Sequence, residues 1–464
     1  MASSEYRGMR VTVMGLGLNG GGLAATRFLV EQGAEVTVTD LRTDEELRPS
    51  LDALADFPVR FVLGRHEESD FEQADLVVKN PAVRAGNPFL RLAKRVETDL
   101  SLFLKDRPNP LLAVTGSKGK STTVSALHHI LLRIRPDVRL GGNITVSPLT
   151  FLKDLATDCP IILELSSWQL ADLKGKGLLK PKVAAISNLL WDHMNAYSTQ
   201  EEYATDKAVL LENLQSDSRI LLPSDSSWGT WFSRRSSVAP AWIGHAASLP
   251  TQGDRFDVDT GRGQWKDGEG VSHDELLLPE SLKVPGLPFR RNCLAASAMA
   301  VLWGVPSDTV RSAVAHFSGV EHRMEHVATV EGVRWYNDTA ATIPEAAVAS
   351  AESFDLPLHW ILGGTDKNLD LSALETAKLE PSTILLLKGS ATDRMIPLLK
   401  RRGWPYHGPF ATMAEAVKRA AQLARPNSVV LLSPGAASFE LFRNEFYRGQ
   451  AFRDEVAFLK GARG

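Results

Sequence analysis

The stretch that decides the fold of the central part of the chain reads LLAVTGSKGKSTT, from Leu111 to Thr123. An apolar run ends in a glycine-rich turn, and a helical pattern begins directly after it. This order predicts a strand, a loop and a helix N-terminus, the arrangement that binds phosphate groups. Gly116 and Gly119 lack a Cβ atom, so the backbone there can turn its N–H groups toward an anion.

The residues that open the predicted helix indicate which phosphates are bound. Lys120 is expected to reach the β- and γ-phosphates, and the hydroxyl of Ser121 or Thr122 is expected to hold Mg²⁺. Val114 stands where the general phosphate loop has its first glycine, so the spacing is unusual. We therefore predict an ATP site with a variant loop.

Composition limits the classes of protein to consider. The chain has 464 residues, of which 44% are hydrophobic and 23% charged, as in soluble globular proteins. A net charge of −3 gives no reason to expect nucleic acid as a partner. Cys159 and Cys293 are too few for a disulfide framework or a cysteine-based zinc site. Without an apolar run of about 18 residues or a secretory signal, we expect a cytoplasmic protein with no membrane span.

The N-terminal region reads as a strand, a glycine-rich turn, a helix and a second strand. The turn is GLGLNG, from Gly15 to Gly20, and Asp40 lies 20 residues beyond it. In a Rossmann fold an acid at this distance binds ribose, so this region alone indicates an NAD-dependent oxidoreductase. Any pyrophosphate could bind the same helix N-terminus. The ordinary alternative is a glycine-rich turn that only packs the helix against the sheet.

Strands and helices alternate along most of the chain, which predicts an α/β fold with three domains. A polar, proline-rich break at 106–110 and a second break at 318–322 mark the expected boundaries. The prediction is a Rossmann-like domain over 1–108, a central phosphate-loop ATPase-like domain over 109–320 and a second Rossmann-like domain over 321–464.

Three further side chains could serve catalysis, each with an ordinary alternative. Glu164 ends an apolar run, where it could bind Mg²⁺, cap a helix or form a surface salt bridge. His193 is either a second metal ligand or a hydrogen-bonded loop residue. Lys207 lies in a helical pattern, where a solvated lysine is the ordinary outcome.

Taken together, the motifs resemble those of the Mur ligase family, the ATP-dependent amide-bond ligases of peptidoglycan synthesis. The resemblance covers essentially the whole chain. It is carried by Thr115–Thr122, Gly142-Asn143, Glu164–Ser167, Asp192–Met194, His322–Glu325, Asn337–Thr339, Leu362–Gly364 and Leu432–Pro434. Within the family, the Gly15-Leu16-Gly17 opening, Gly363–Lys367 and Ser433–Gly449 are most similar to members that add D-glutamate to UDP-N-acetylmuramoyl-L-alanine.

The resemblance implies a reaction with an acyl-phosphate intermediate. ATP phosphorylates the carboxylate of the UDP-sugar substrate, and the amine of glutamate then displaces phosphate. Two Mg²⁺ ions are expected, because a carboxylate must approach a polyanionic triphosphate. The implied partners are UDP-N-acetylmuramoyl-L-alanine, glutamate and ATP, and the implied assembly is a monomer.

The resemblance also implies roles for individual residues. The implied catalytic and metal-binding set is Lys120, Ser121, Glu164, His193 and a carbamylated Lys207. The implied ATP site adds Gly116, Ser117, Lys118, Gly119, Thr122, Asn292, Arg323 and Asp338. The UDP-sugar site would be Gly15, Gly17, Leu18, Asn19, Asp40, Arg42, Asn143 and Ser166. The amino-acid site would be Thr342, Lys367, Ser438, Phe442 and Phe446.

Departures from the family pattern occur in the nucleotide and amino-acid sites. The segment Gly286–Asn292 keeps only the first glycine and last asparagine of a family motif, and Ala340 replaces a lysine. Glu445 stands where an aromatic residue is expected, with Phe446 beside it. The same chemistry with L-glutamate or a folylpolyglutamate-like acceptor therefore stays open, as do an oxidoreductase and a non-catalytic nucleotide-binding regulator.

Overall fold

The computed structural model describes residues 5–18, 20–84, 86–105, 107–144, 146–190 and 197–463, with side chains as far as residue 461. Within these ranges the strands form three separate sheets of five, nine and six strands. Helices connect most successive strands, because parallel strands need long crossover connections. The predicted α/β fold class is confirmed.

The first sheet is entirely parallel. Its elements are β1 (Arg10–Met14), α1 (Gly21–Glu31), β2 (Glu35–Asp40), α2 (Asp44–Asp52), β3 (Val59–Leu63), α3 (Glu68–Glu72), β4 (Leu76–Lys79), β5 (Val96–Glu97) and α4 (Asp99–Leu104). The strand order is β3-β2-β1-β4-β5. The order reverses between β1 and β4, and ligands of open α/β sheets bind at the carboxyl ends of strands at such a point.

The second sheet carries the phosphate loop. Its elements are β6 (Leu111–Thr115), α5 (Lys120–Leu131), β7 (Arg139–Gly142), β8 (Ile161–Glu164), α6 (Ser167–Leu173), β9 (Val183–Ile186), α7 (Gln200–Ala208), β10 (Arg219–Pro223), α8 (Ser227–Ser233), β11 (Pro240–Gly244), β12 (Arg255–Asp257), β13 (Arg262–Lys266), β14 (Ser272–Leu276), α9 (Leu287–Trp303) and α10 (Ser307–His316). The order is β14-β13-β12-β11-β10-β9-β6-β8-β7. β12, β13 and β14 pair antiparallel and the other pairs are parallel.

The third sheet is parallel except at one edge. Its elements are β15 (Glu325–Val330), β16 (Val333–Asn337), α11 (Pro344–Ala351), β17 (Leu358–Leu362), α12 (Ser372–Thr376), β18 (Thr383–Leu387), α13 (Ser390–Arg402), β19 (Tyr406–Phe410), α14 (Met413–Leu423), β20 (Val429–Leu432) and α15 (Glu445–Arg463). The order is β15-β16-β20-β17-β18-β19, and β15 alone runs antiparallel to its neighbour.

The chain divides into two compact units. One contains residues 1–279 and 293–314, and the other contains residues 280–292 and 315–464. The first two sheets lie in the same unit and share a buried apolar cluster, which includes Leu16, Phe103 and Leu163. The boundaries at 108/109 and 320/321 stay predictions. Among the described residues, no helix is both long and apolar enough to cross a membrane.

Candidate active site

The turn between β6 and α5 requires glycine at its first position. Gly116 has a φ of +141°, and a Cβ atom there would lie 2.0 Å from Ser187 Oγ. Gly119, with a φ of +85°, precedes α5, and no side chain caps that helix. The positive end of the α5 dipole is therefore available to an anion, as the phosphate-loop prediction requires.

Asn188, just beyond the end of β9, holds the phosphate loop in shape. The Ser117 N–H donates to the Asn188 carbonyl oxygen at 3.0 Å, and the Lys118 N–H donates to Asn188 Oδ1 at 2.9 Å. Ser187 Oγ donates to the Lys118 carbonyl oxygen at 2.7 Å. Asn188 is a site residue that the sequence pattern did not reveal. Its position at the end of a strand was the available signal, since β9 turns out to be the direct neighbour of β6.

Two lysine ammonium groups meet at one carbonyl oxygen of this loop. Lys120 Nζ donates to the carbonyl oxygens of Gly116 at 2.9 Å and Ser117 at 3.0 Å. Lys207 Nζ donates to the same Gly116 oxygen at 3.0 Å and lies 4.2 Å from the centre of the Tyr203 ring. Lys207 is 1% exposed, so the alternative of a solvated helix lysine is wrong. Two cations at one loop create the positive potential that attracts a polyphosphate.

Glu164 is the buried acid beside this loop. Strands β6 and β8 pair so that Val114 lies opposite Glu164. Glu164 Oε1 accepts a hydrogen bond from Asn143 Nδ2 at 2.9 Å, whereas Oε2 has no hydrogen-bond partner among the described residues. Because Glu164 is 2% exposed, a surface salt bridge is excluded. A buried carboxylate oxygen without a donor is the group that a metal ion would satisfy.

The residues present fit a magnesium site. Ser121 and Thr122 lie buried in the first turn of α5. Mg²⁺ usually takes one or two protein oxygen ligands and completes its shell with substrate phosphates and water. Within the described ranges, no three His, Cys, Asp or Glu side chains gather into a metal site. Glu164 Oε2 and a hydroxyl of α5 meet the smaller requirement, and the predicted ligand His193 lies outside the described residues.

The glycine loop after β1 has the predicted turn, with one additional glycine. A Cβ atom on Gly22 would lie 2.4 Å from the Gly15 carbonyl oxygen, so Gly22 allows the close approach of α1 to the strand end. Asp40 Oδ2 accepts from the Gly17 N–H at 3.1 Å, and its Oδ1 accepts from the Arg42 N–H at 3.0 Å. Asp40 therefore holds the two predicted sugar-nucleotide loops together.

Of three other predicted sugar-nucleotide residues, the structure describes two, and these differ in exposure and role. Leu18 is exposed at the loop, and Asn19 lies outside the described residues. Ser166 caps α6, since its hydroxyl oxygen accepts from the Gln169 N–H and the Gln169 side chain accepts from the Ser166 N–H. Any contact of Ser166 with a substrate would be additional to this capping role.

The second compact unit contains its own cluster of predicted site residues. Asp338, just beyond β16, accepts hydrogen bonds from the Met324 N–H at 3.1 Å and from the hydroxyls of Ser350 at 2.6 Å and Ser433 at 2.8 Å. Burial raises the pKa of Asp338 to about 6, against the lowering effect of these hydrogen bonds and of Arg323. Asp338 therefore bonds to the residue that directly follows Arg323, and the binding of ATP by these two side chains stays a prediction. Asn292 lies within α9.

The predicted amino-acid site has one buried hydroxyl and one exposed cation. Ser438 is 2% exposed, and its Oγ has no hydrogen-bond partner among the described residues. Lys367 Nζ lies 4.5 Å from the centre of the Phe439 ring, a partner that the sequence analysis did not foresee. Phe442 packs against the apolar core of this unit, and Phe446 is half-exposed. Thr342 donates its N–H to the Ala340 carbonyl oxygen.

Arg448 is a buried cation that sequence reasoning left without a role. Its guanidinium donates to Thr339 Oγ1 and to the carbonyl oxygens of Thr339, Ala436 and Ala437, all at 3.0–3.2 Å. Burial lowers the pKa of Arg448 to about 9. The arginine connects the loops that follow β16 and β20, on which Asp338 and Ser438 lie. Its place in the Ser433–Gly449 motif was the available signal.

A glycine-rich phosphate loop with two lysines and a buried acid, next to a Rossmann-like sheet, defines an α/β enzyme that uses a nucleoside triphosphate. Two family models match the chain. The model described as Mur ligase middle domain matches residues 114–300, and the one described as Mur ligase MurD-like, N-terminal domain, matches residues 9–100. The chain belongs to the Mur ligase family, in its MurD-like branch. The N-terminal match favours this family over the oxidoreductases.

Relatives and solved structures agree with this assignment. A UDP-N-acetylmuramoylalanine–D-glutamate ligase from Borreliella afzelii is 41% identical over 464 residues, with 99% of this chain and 100% of the relative covered. MurC from Thermotoga maritima, a UDP-N-acetylmuramate–alanine ligase, is 17% identical with a TM-score of 0.61, over 97% of this chain and 99% of that one. MurF from the same organism, solved in complex with ADP, is 15% identical with a TM-score of 0.57, over 100% and 97%. These two structures show the shared fold.

Proposed function

We propose that this protein joins D-glutamate to UDP-N-acetylmuramoyl-L-alanine and converts ATP to ADP and phosphate, as a step of peptidoglycan precursor synthesis. The observation that carries the proposal is the phosphate loop itself, where Lys120 and Lys207 both bond to Gly116, with the buried Glu164 at the end of the neighbouring strand. The substrates come from the name of the relative that matches this chain over its full length. ATP and nucleotide sugars are cytoplasmic metabolites, so we propose a cytoplasmic location. We also propose that the enzyme is a monomer.

The first step would activate the substrate carboxylate. One carboxylate oxygen of the L-alanine attacks the γ-phosphorus, and the bond from that phosphorus to the β–γ bridging oxygen breaks, releasing ADP. Lys120 would neutralise the charge on the β- and γ-phosphates, and the loop of Gly116, Ser117, Lys118 and Gly119 would hold them. Asn143, already directed at Glu164 Oε1, would orient the substrate near the acid together with Ser166.

Metal ions would be held by side chains beside the phosphate loop. Ser121 with Glu164, and alternatively Thr122, would hold one Mg²⁺, and His193 would hold a second. Magnesium supplies positive charge that offsets the repulsion between the carboxylate and the triphosphate. In carbamylation the Lys207 ammonium loses a proton to solvent, the neutral amine adds to the carbon of carbon dioxide, and the adduct loses a second proton to solvent. The resulting carboxylate-like anion would remove the repulsion between two ammonium groups on the Gly116 carbonyl oxygen. That change would also give the second metal ion an oxygen ligand.

The second step would form the amide bond. The amine of glutamate attacks the acyl carbon, a C–N bond forms, the C–O bond to phosphate breaks, and the amine loses a proton. Lys367, Ser438 and Thr342 would bind the two carboxylates of glutamate, with Phe442 and Phe446 beside them. Asn292, Arg323 and Asp338 would bind ATP, and the loops with Gly15, Gly17, Leu18, Asn19, Asp40 and Arg42 would bind the UDP group.

An amino-acid panel tests the proposal. The purified protein is incubated with UDP-N-acetylmuramoyl-L-alanine, Mg²⁺ and ATP, and phosphate release is measured with D-glutamate, L-glutamate or no amino acid. Release with D-glutamate alone is expected. Release only with L-glutamate would favour the alternative suggested by Glu445, and ATP binding without any release would favour a regulator. A folate substrate with L-glutamate, and NAD with a hydroxy acid, complete the panel.

A further inference from the structure

A lysine and an aspartate that the proposed reaction does not use form a buried ion pair. Lys79 Nζ lies 2.6 Å from Asp172 Oδ2, and the two side chains are 5% and 11% exposed. The same ammonium group donates to the Val83 carbonyl oxygen at 2.9 Å. A buried ion pair rarely stabilises a fold more than an apolar pair of the same size, because both charges must be desolvated. Its presence therefore needs another physical reason.

Lys79 is connected to the glycine loop of the first sheet. It is the last residue of β4, and the turn Asn80–Val83 follows it directly. The Asn80 N–H donates to the Met14 carbonyl oxygen at 2.8 Å. Asn80 also fills the space beside Gly15, since a Cβ atom added to Gly15 would lie 2.9 Å from the Asn80 Cβ. The lysine thus holds the turn that borders the loop proposed to bind the UDP group.

Asp172 is connected to Ser166, a proposed substrate-binding residue just beyond the end of β8. It lies on α6, whose first residue, Ser167, is three residues beyond Glu164. The capping box of Ser166 and Gln169 fixes the start of this helix. Displacement of α6 would therefore move Ser166, which the proposed function places beside the substrate carboxylate, whereas Glu164 is held in β8 by the pairing with β6.

A second ion pair of opposite polarity lies four residues along the chain. Lys176 Nζ is 2.6 Å from Glu97 Oε2 on β5 and donates to the Val96 carbonyl oxygen at 3.1 Å. In the first pair the first sheet supplies the cation, and in the second pair it supplies the anion. We call these four residues, Lys79, Asp172, Glu97 and Lys176, the β4–α6 clamp. Lys176 lies in the turn just beyond α6. A shift of this segment that moves Asp172 toward Glu97, or Lys176 toward Lys79, would bring like charges together, so the two pairs disfavour it.

We propose that the β4–α6 clamp fixes the distance between the two subsites that would bind the ends of the sugar nucleotide. The substrate carboxylate is thereby held where it meets the γ-phosphate. This inference rests on the proposed function. The substrate would extend from the glycine loop of the first sheet to Ser166 at the start of α6, whereas the phosphate loop lies between β6 and α5. Lys79 and Asp172 are accordingly positioning residues for one substrate and not for ATP.

Steady-state kinetics of Lys79→Met and Asp172→Asn test this assignment. We expect kcat/KM for UDP-N-acetylmuramoyl-L-alanine to fall roughly ten- to hundredfold, as small misplacements of reacting groups do, with KM for ATP unchanged. Lys79→Arg keeps the charge and should retain most of the wild-type value. The matched control is Lys94→Met, which removes an exposed pair with Asp75 in the same sheet and should change neither parameter. A parallel rise in KM for ATP, or a Lys79→Met variant that behaves like Lys94→Met, would overturn the inference.

A double variant separates positioning from stability. Lys79→Met with Asp172→Leu replaces the pair by apolar groups, which should restore the melting temperature if the single variants lose it. The bond from Lys79 to the Val83 carbonyl oxygen stays absent, so kcat/KM for the sugar nucleotide should remain low. A folded double variant with wild-type kcat/KM would overturn the inference. Absence of turnover by the wild-type protein would instead refute the proposed function.

Discussion

Replacing Asp338 by asparagine should remove a pH dependence from the stability of the unit built on the third sheet. The aspartate is 6% exposed and accepts one backbone and two hydroxyl hydrogen bonds. Burial raises its pKa from 3.8 to about 6. Asparagine can keep the bond from the Met324 N–H through its oxygen, and the hydroxyls of Ser350 and Ser433 can rotate to accept from its amide.

The sign and size of the effect follow from proton linkage. The pKa of Asp338 is higher in the folded than in the unfolded state, so its contribution to stability is fully present below about pH 4 and is lost as the pH rises toward 6. A difference of about two pKa units corresponds to about 3 kcal/mol. Asparagine does not titrate. The unfolding free energy of Asp338→Asn minus that of the wild type should therefore be about 3 kcal/mol larger at pH 7 than at pH 4.

Urea unfolding at several pH values, followed by tryptophan fluorescence, measures this difference. Asp370→Asn is the matched control. Asp370 is exposed, and the hydrogen bond that its carboxylate accepts from the Ser372 N–H lowers its pKa. The folded pKa of Asp370 lies below its ordinary value of 3.8, so the control should differ from the wild type by a nearly constant amount between pH 4 and pH 7. A difference between Asp338→Asn and wild type that stays constant from pH 4 to pH 7 would refute the reasoning. Phosphate release by Asp338→Asn should fall even where its stability rises, as expected for a site residue.

Other substitutions test individual groups of the site. Lys120→Ala should abolish phosphate release while the melting temperature stays near that of the wild type, and substantial residual turnover would argue against the phosphate-loop assignment. Lys207→Ala should lose activity that short-chain carboxylic acids partly restore, because they would replace the anion of a carbamate; no recovery at any acid concentration would count against carbamylation. Phe439→Leu should raise KM for glutamate about two- to fivefold, the equivalent of about 0.5–1 kcal/mol for an exposed cation–π contact with Lys367. Phe439→Tyr should leave KM unchanged, and equal values for both variants would show that the aromatic face is unimportant.

Residues close in sequence account for what could be predicted. The phosphate loop was predicted because its glycines, lysine and hydroxyls fall within Gly116–Thr122, and local backbone geometry alone brings them together. The glycine turn after β1 was predicted for the same reason, although the close packing of Gly22 was not. One alternative for Lys207, a solvent-exposed helix lysine, was wrong. A single lysine in a helical pattern gives no sign of burial.

The sequence by itself determined the α/β fold, the position of the phosphate loop and the family to which the chain belongs, since each depends on contiguous residues or on their order. Only the tertiary structure decided which distant side chains meet. Lys207 reaches Gly116 across 91 positions, Lys79 reaches Asp172 across 93, and Arg448 reaches Thr339 across 109. The physical reason is that parallel strands bring the ends of separate crossover units to one edge of a sheet, and no local pattern records which ends become neighbours.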